Sequence, residues 1–150
     1  MDSEFNIEKM QENLKKFNDT FKKTVDVLKD IKHHEEVEEE IQASIQNNIA
    51  IITVNIKRAT MKDAPKFKSI LESELSNNFV FFVINLLKVE HIDSTFLGEI
   101  ICLLKKVMPS KGRVLILSNN ESVKSLFVLT RLLRELPIYS SLEEAVVALG

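Results

Sequence analysis

The 150-residue sequence has one cysteine, three glycines and three prolines, and it has no long apolar run. A single cysteine cannot form an internal disulfide, which is typical of a protein in a reducing cytoplasm. No apolar run approaches the ~20 residues that span a bilayer. The N-terminus also lacks the apolar core of a signal peptide. We therefore expect a cytoplasmic protein with no membrane segment.

The sequence also lacks the patterns that most enzymes and nucleic-acid binders need. It has no Gly-rich phosphate loop, no Cys/His set at metal-ligand spacing and no nucleophile–base constellation, so we expect no enzymatic activity, no metal and no cofactor. His33 and His34 are adjacent, and adjacent side chains on a helix point about 100° apart and do not converge on one ion. Basic residues do not alternate with aromatic ones, so nucleic acid is not an expected partner.

No glycine or proline interrupts the chain before Asp63, and its first part is predicted to be a long amphipathic helix. Apolar residues in a three–four alternation would line one seam of that helix: Ile7, Met10, Leu14, Phe17, Phe21, Leu28 and Ile31. After Ile31 acidic residues dominate up to Glu40, and residues 1–48 hold 12 acidic and 7 basic side chains. We therefore predict a helical extension with an acidic linker at residues 1–40 and a separate domain at residues 41–150.

From Ile41 onward, strand and helix patterns alternate. The predicted strands are Ile41–Ile45, Ile49–Ile56, Phe79–Leu86, Val114–Leu117 and Ile138–Tyr139. Asn47 and Asn48 should form the tight turn of an opening hairpin. Helices are predicted between about residues 63 and 75, after Asp93, from about 122 to 130, and after a capping box at Ser141. This alternation predicts an α/β domain with helices packed against a mixed sheet.

The most informative stretch is Phe79–Gly98, in which a buried strand leads through a short loop into the next helix. Asp93, Ser94 and Thr95 stand at the start of that helix. A hydroxyl there can cap the helix, or it can carry a phosphate, whose charge the helix N-terminus tolerates. Phe96 is expected at the edge of the helix's apolar stripe and partly exposed.

Residues from about Ile41 to Gly150 resemble a STAS domain, the fold of bacterial anti-sigma factor antagonists. The matching landmarks are the opening hairpin and the segments VFFVINL, VEHIDSTFLGEIICLLKK, SKGRVLILSNNESVKSLFVLTRL and PIYSSLEEAVVAL. The family motif Asp-Ser-Ser/Thr-Gly-Leu-Gly corresponds to Asp93–Gly98, with Phe96 at the position of its first glycine. The loop around Arg58–Pro65 lacks the Gly-containing acidic turn that is frequent in the family.

The resemblance implies a non-enzymatic regulatory binding module in a partner-switching pathway. In such antagonists, an anti-sigma factor that is itself a serine kinase phosphorylates the serine after the aspartate, and a phosphatase resets it. Ser94 stands at that position, and Thr95 is the alternative acceptor. The expected partner-contacting residues are Asp93, Ser94, Thr95 and Phe96. The alternative interpretation is a STAS scaffold subunit of a larger signalling assembly, dimerised through the N-terminal helix.

The apolar seam at residues 7–31 can pair with its twin in a homodimer or fold back on its own domain. Deletion of residues 1–40 is expected to convert a dimer into a monomer, because the seam would supply the dimer interface. Size-exclusion chromatography with light scattering on the full chain and on residues 41–150 measures this. If both species are monomers, the seam is not an oligomerisation device and the scaffold interpretation fails.

Overall fold

The computed structural model describes Glu12, Lys15, Lys16 and residues 40–150. The chain divides into two units, Met1–Glu38 and Glu39–Gly150, and the fold below is that of the second unit. The predicted N-terminal helix and its seam residues lie outside the described residues. The three described positions of that segment are helical and exposed.

Within residues 40–150, strands and helices alternate as the sequence predicts. The strands are β1 (Ile41–Gln46), β2 (Ile49–Val54), β3 (Arg58–Ala59), β4 (Phe81–Asn85), β5 (His91–Ile92), β6 (Arg113–Leu117) and β7 (Ile138–Tyr139). The helices are α1 (Ala64–Ser76), α2 (Ser94–Val107), α3 (Glu121–Leu129) and α4 (Leu142–Leu149). None of the helices in the described part of the chain has the length and apolarity to cross a membrane.

The centre of the domain is a mixed sheet of five strands in the order β1-β2-β4-β6-β7. β1 runs antiparallel to β2, and the other neighbours are parallel. The predicted opening hairpin is confirmed, because Asn47 and Asn48 both adopt left-handed backbone conformations, with φ of 48° and 65°. Asparagine tolerates this region better than most residues, which explains the pair at this turn.

Apolar side chains cover both faces of the sheet, and β4 contributes to both. Phe82 and Ile84 face the larger cluster, which contains the buried side chains of α1, α2 and α3. Val83 faces the smaller cluster, where Ala145 of α4 packs. The prediction that this strand is buried is confirmed. Each fully buried large side chain stabilises the fold by about 1.5–3 kcal/mol.

The sequence analysis did not predict β3 and β5. These two strands have two residues each and form a separate parallel sheet, in which Arg58 pairs with His91 and Ala59 with Ile92. Two residues are too few to show an alternation of apolar and polar side chains. This small sheet brings the loop before α1 next to the start of α2.

Gly112 fixes the other end of α2, where the chain turns into β6. A Cβ atom on this residue would lie 2.6 Å from Cβ of Val107 and would also collide with the carbonyl oxygen of Val80. The residue must therefore be glycine because of close packing. Gly98, in the first half of α2, has no such constraint, since a Cβ there would meet no atom within 4 Å.

Candidate functional site

The junction between β5 and α2 is held in place by backbone hydrogen bonds. The Asp93 N–H donates to the carbonyl oxygen of Ala59 at 3.1 Å, which extends the β3–β5 ladder by one residue. Asp93 then leaves the strand with an extended backbone, φ −93° and ψ 173°, and is the N-cap of α2. The Leu97 N–H donates to the Asp93 carbonyl oxygen at 3.0 Å and closes the first helical turn.

The Asp93 carboxylate accepts two backbone hydrogen bonds, one on each oxygen. Oδ1 accepts from the Phe96 N–H at 2.9 Å, which caps α2. Oδ2 accepts from the Met61 N–H at 2.7 Å, in the loop between β3 and α1. One side chain thus starts the helix and anchors a loop that lies 32 residues earlier in the chain.

Ser94 and Thr95 are the first two residues of α2, and both are exposed. No hydrogen bond within the described part of the chain uses the Ser94 hydroxyl. The sequence left open whether Ser94 or Asp93 caps the helix, and the structure gives that role to Asp93. Within the described part of the chain, the Ser94 hydroxyl therefore contributes neither a helix cap nor another hydrogen bond to the fold.

The prediction that Phe96 is partly exposed is wrong, because its side chain is 0% exposed. Its ring stacks on that of Phe67 from α1, with centroids 4.3 Å apart and planes inclined by 16°. Phe96 therefore lies within the buried stripe of α2 and not at its edge, and the stripe also contains Leu97, Ile100, Leu103, Leu104 and Val107. A buried ring cannot contact a partner in this structure, and it does not cover the exposed Ser94.

The loop between β3 and α1 is the neighbour of Ser94 that the sequence analysis missed. Within it, Asp63 Oδ2 accepts from the Thr60 N–H at 3.0 Å, and the Asp63 N–H donates back to the Thr60 carbonyl oxygen at 2.9 Å. These bonds close the loop and leave the Met61 side chain 67% exposed beside Asp93. Sequence patterns did not indicate the contact between Met61 and Asp93, since it depends on the two-residue strands β3 and β5.

An open cleft of about 470 Å³ lies at the carboxyl ends of the central parallel strands. Its lining residues are Ile56, Lys57, Leu87, Lys88, Val89, Glu90, Asn119 and Asn120. This lining contains no serine, cysteine or histidine that could act as a nucleophile or general base. The described residues also contain no group of three or more metal-ligating side chains, and Cys102 is an exposed free thiol on α2.

The model of the STAS domain family matches residues 30–145. The chain belongs to the STAS domain family. A candidate anti-sigma factor antagonist from Thermotoga maritima is 35% identical over 104 residues, which cover 67% of this chain and 89% of that protein. STAS membership confirms the resemblance that the motif Asp93–Gly98 suggested.

Solved structures share the STAS fold of this chain. The crystal structure of a candidate anti-sigma factor antagonist from Thermotoga maritima has a TM-score of 0.68 at 31% identity, over 73% of this chain and 94% of that one. SpoIIAA, a Bacillus cell fate determinant solved in its phosphorylated form, has a TM-score of 0.60 at 12% identity, over 73% and 99% of the two chains. At that identity, the likeness to SpoIIAA shows the fold alone.

Replacement of Asp93 by asparagine should distinguish the two roles of its carboxylate, which caps α2 and bonds the Met61 N–H. An amide has one acceptor oxygen, so Asp93→Asn can keep the bond to the Phe96 N–H but turns an NH₂ group toward the Met61 N–H. We expect a loss of about 1–2 kcal/mol in the free energy of unfolding, measured by urea denaturation. Amide hydrogen exchange should accelerate at Met61.

The matched control is the N-cap of α3, where Asn120 Oδ1 accepts from the Val123 N–H at 3.0 Å. Asn120→Ala should cost about 1 kcal/mol by the loss of an ordinary cap and leave the exchange at Met61 unchanged. Unchanged exchange at both Met61 and Phe96 in Asp93→Asn would show that the carboxylate does not link the two segments.

Proposed function

We propose that this protein is an anti-sigma factor antagonist whose binding to a serine-kinase anti-sigma factor is switched by phosphorylation of Ser94. The observation that carries this proposal is the exposed Ser94 hydroxyl at the first position of α2, beside an aspartate that already caps the helix. A kinase can modify such a hydroxyl without breaking a contact of the fold. Thr95, also exposed, is the alternative acceptor.

The first turn of α2 can accommodate a phosphate. A phosphoserine carries a charge of about −1.5 to −2 at pH 7. At the start of a helix, the amides of the first residues lack intrahelical acceptors and the helix dipole favours negative charge. The Asp93 carboxylate accepts hydrogen bonds from two neutral N–H groups, which do not cancel its charge, so it repels the new phosphate. Phosphorylation should therefore alter the surface charge strongly while the domain stays folded.

The relatives support the same function. The Thermotoga maritima protein that shares 35% identity with this chain is named a candidate anti-sigma factor antagonist. SpoIIAA, which shares the fold, exists in a phosphorylated form. We infer the corresponding cycle for this protein. The unphosphorylated chain holds the anti-sigma factor and frees a sigma factor, phosphorylation of Ser94 releases the complex, and a phosphatase restores the hydroxyl.

A second proposal concerns residues 1–40 and is independent of Ser94. The seam of apolar residues in this segment supports homodimerisation, and with it a scaffold role in a larger signalling assembly. The truncation experiment above tests this proposal. A dimeric antagonist and a dimeric scaffold differ in whether the Ser94 switch controls a partner.

Substitution of Ser94 should change the capture of the anti-sigma factor in a charge-dependent way. In pull-downs from host lysate with quantitative mass spectrometry, the wild type and Ser94→Ala should both retain a serine-kinase anti-sigma factor. Ser94→Asp should recover at least about tenfold less, because the added carboxylate places negative charge at the interface.

Ser122→Asp is the matched control, since Ser122 is an exposed residue in the first turn of α3. It places the same charge in the first turn of another helix, one position further from the N-cap, and should bind as the wild type does. Equal recovery of the same partners by the wild type and Ser94→Asp would contradict the switch. Equal loss in Ser94→Asp and Ser122→Asp would show a general charge effect instead of a site at Ser94.

A further inference from the structure

Next to Ser94, the segment from Arg58 in β3 to Lys62 in the following loop carries one exposed apolar side chain and two cations. Met61 is 67% exposed, and Arg58 and Lys62 are both exposed. No ion pair within the described part of the chain engages either cation. The Met61 N–H is bonded to Asp93 Oδ2, so the loop is held beside the residue that precedes Ser94.

Two carboxylates of this region, those of Asp63 and Asp93, are engaged by the backbone. Asp63 accepts from the Thr60 N–H, and Asp93 accepts from the N–H groups of Met61 and Phe96. Both aspartates also stand at the start of a helix, where the dipole offsets part of their charge. Two further acids are close to the site in sequence, Glu90 directly before β5 and Glu99 in α2. Arg58 and Lys62 are exposed whereas Asp63 and Asp93 are half-buried, so the charges that the segment from Arg58 to Asp63 presents most openly to solvent are positive.

Ser94 lies within electrostatic reach of Arg58. The ladder pairs Arg58 with His91, and Ser94 follows His91 by three residues. At about 3.3 Å per residue, this is a separation of roughly 10 Å along the chain. Such a distance is comparable to the Debye length at physiological salt, so a phosphate on Ser94 acts on Arg58 through a partly screened field and not through direct contact.

We propose that Arg58, Met61 and Lys62 form a second part of the partner surface, which receives an acidic protein face with an apolar pocket. This inference rests on the proposed function, because Ser94 marks the surface as an interface. Met61 is the apolar anchor, and the two cations pair with carboxylates around the pocket. The positive charges of Arg58 and Lys62 are the reason that we expect an acidic partner surface.

The surface formed by Arg58, Met61 and Lys62 also explains how phosphorylation of Ser94 releases the partner. A phosphate on Ser94 has the sign of the partner's carboxylates and repels them. Phosphorylation thus opposes the charge complementarity on which association depends. The hydrogen bond between the Met61 N–H and Asp93 keeps the Met61 side chain beside the modified serine.

The test uses the full chain and the purified serine-kinase anti-sigma factors of the source organism, each titrated in turn by surface plasmon resonance. Met61→Ala should weaken binding by about tenfold or more, through faster dissociation. Arg58→Glu and Lys62→Glu should slow association by about three- to tenfold and flatten its dependence on salt. Lys62→Arg retains the charge and should bind as the wild type does.

Matched controls lie at the other end of α2. Met108 is 55% exposed and Lys105 is exposed, and they lie roughly 21 Å and roughly 17 Å from Ser94 along the helix axis. Met108→Ala and Lys105→Glu should leave affinity and salt dependence unchanged. The melting temperatures of the Arg58, Met61 and Lys62 variants should stay close to that of the wild type, since these side chains are exposed.

The outcomes distinguish the inference from the function on which it rests. If one anti-sigma factor binds the wild type and loses affinity for Ser94→Asp but not for the Met61 and Lys62 variants, this inference is wrong and the proposed function stands. If none of them binds the wild type, the proposed function fails and the inference fails with it. If the Met108 and Lys105 controls weaken binding equally, the loop is not a specific surface.

Discussion

The two hydrogen bonds of the Asp93 carboxylate determine the geometry of this face of the domain. One bond starts α2 at Ser94, and the other ties the loop that carries Met61 to the same point. Because the carboxylate is used by backbone N–H groups, Ser94 is not needed as a cap and its hydroxyl is exposed. The adjacent cationic loop is also held in place by this residue. Asp93 therefore positions both the proposed modification site at Ser94 and the proposed partner-contacting loop at Met61.

The stacked pair Phe67 and Phe96 explains how the chain tolerates an aromatic residue where the family motif has glycine. The Phe96 ring is fully buried and adds apolar contact between α1 and α2. Stacked aromatic pairs contribute about 0.5–1.5 kcal/mol beyond the area that they bury. The bulky ring therefore strengthens the attachment of α2 from the inside, and the outer side of the first turn keeps small, exposed hydroxyl side chains.

Much of the fold could be predicted from the sequence, because the strands and helices of the central layers have long apolar patterns and clear turn residues. The hairpin at Asn47–Asn48 and the exposed Ser94 at a helix start follow from such local signals. The burial of Phe96 did not, because neighbouring residues of a helix point about 100° apart, and a small error in the position of the predicted stripe moves a residue at its edge between core and solvent. The role of Met61 depends on a contact across 32 residues, and no local pattern encodes it.

The central claim is that Ser94 is the residue at which the protein is switched. Tandem mass spectrometry of the protein isolated from its source cells, with each phosphate assigned to a residue, tests this claim most directly. The account predicts a population of chains with a single phosphate on Ser94, present in the free protein and depleted in the fraction bound to the anti-sigma factor. Unmodified Ser94 and Thr95 in both fractions, under conditions in which the partner is bound and released, would contradict it.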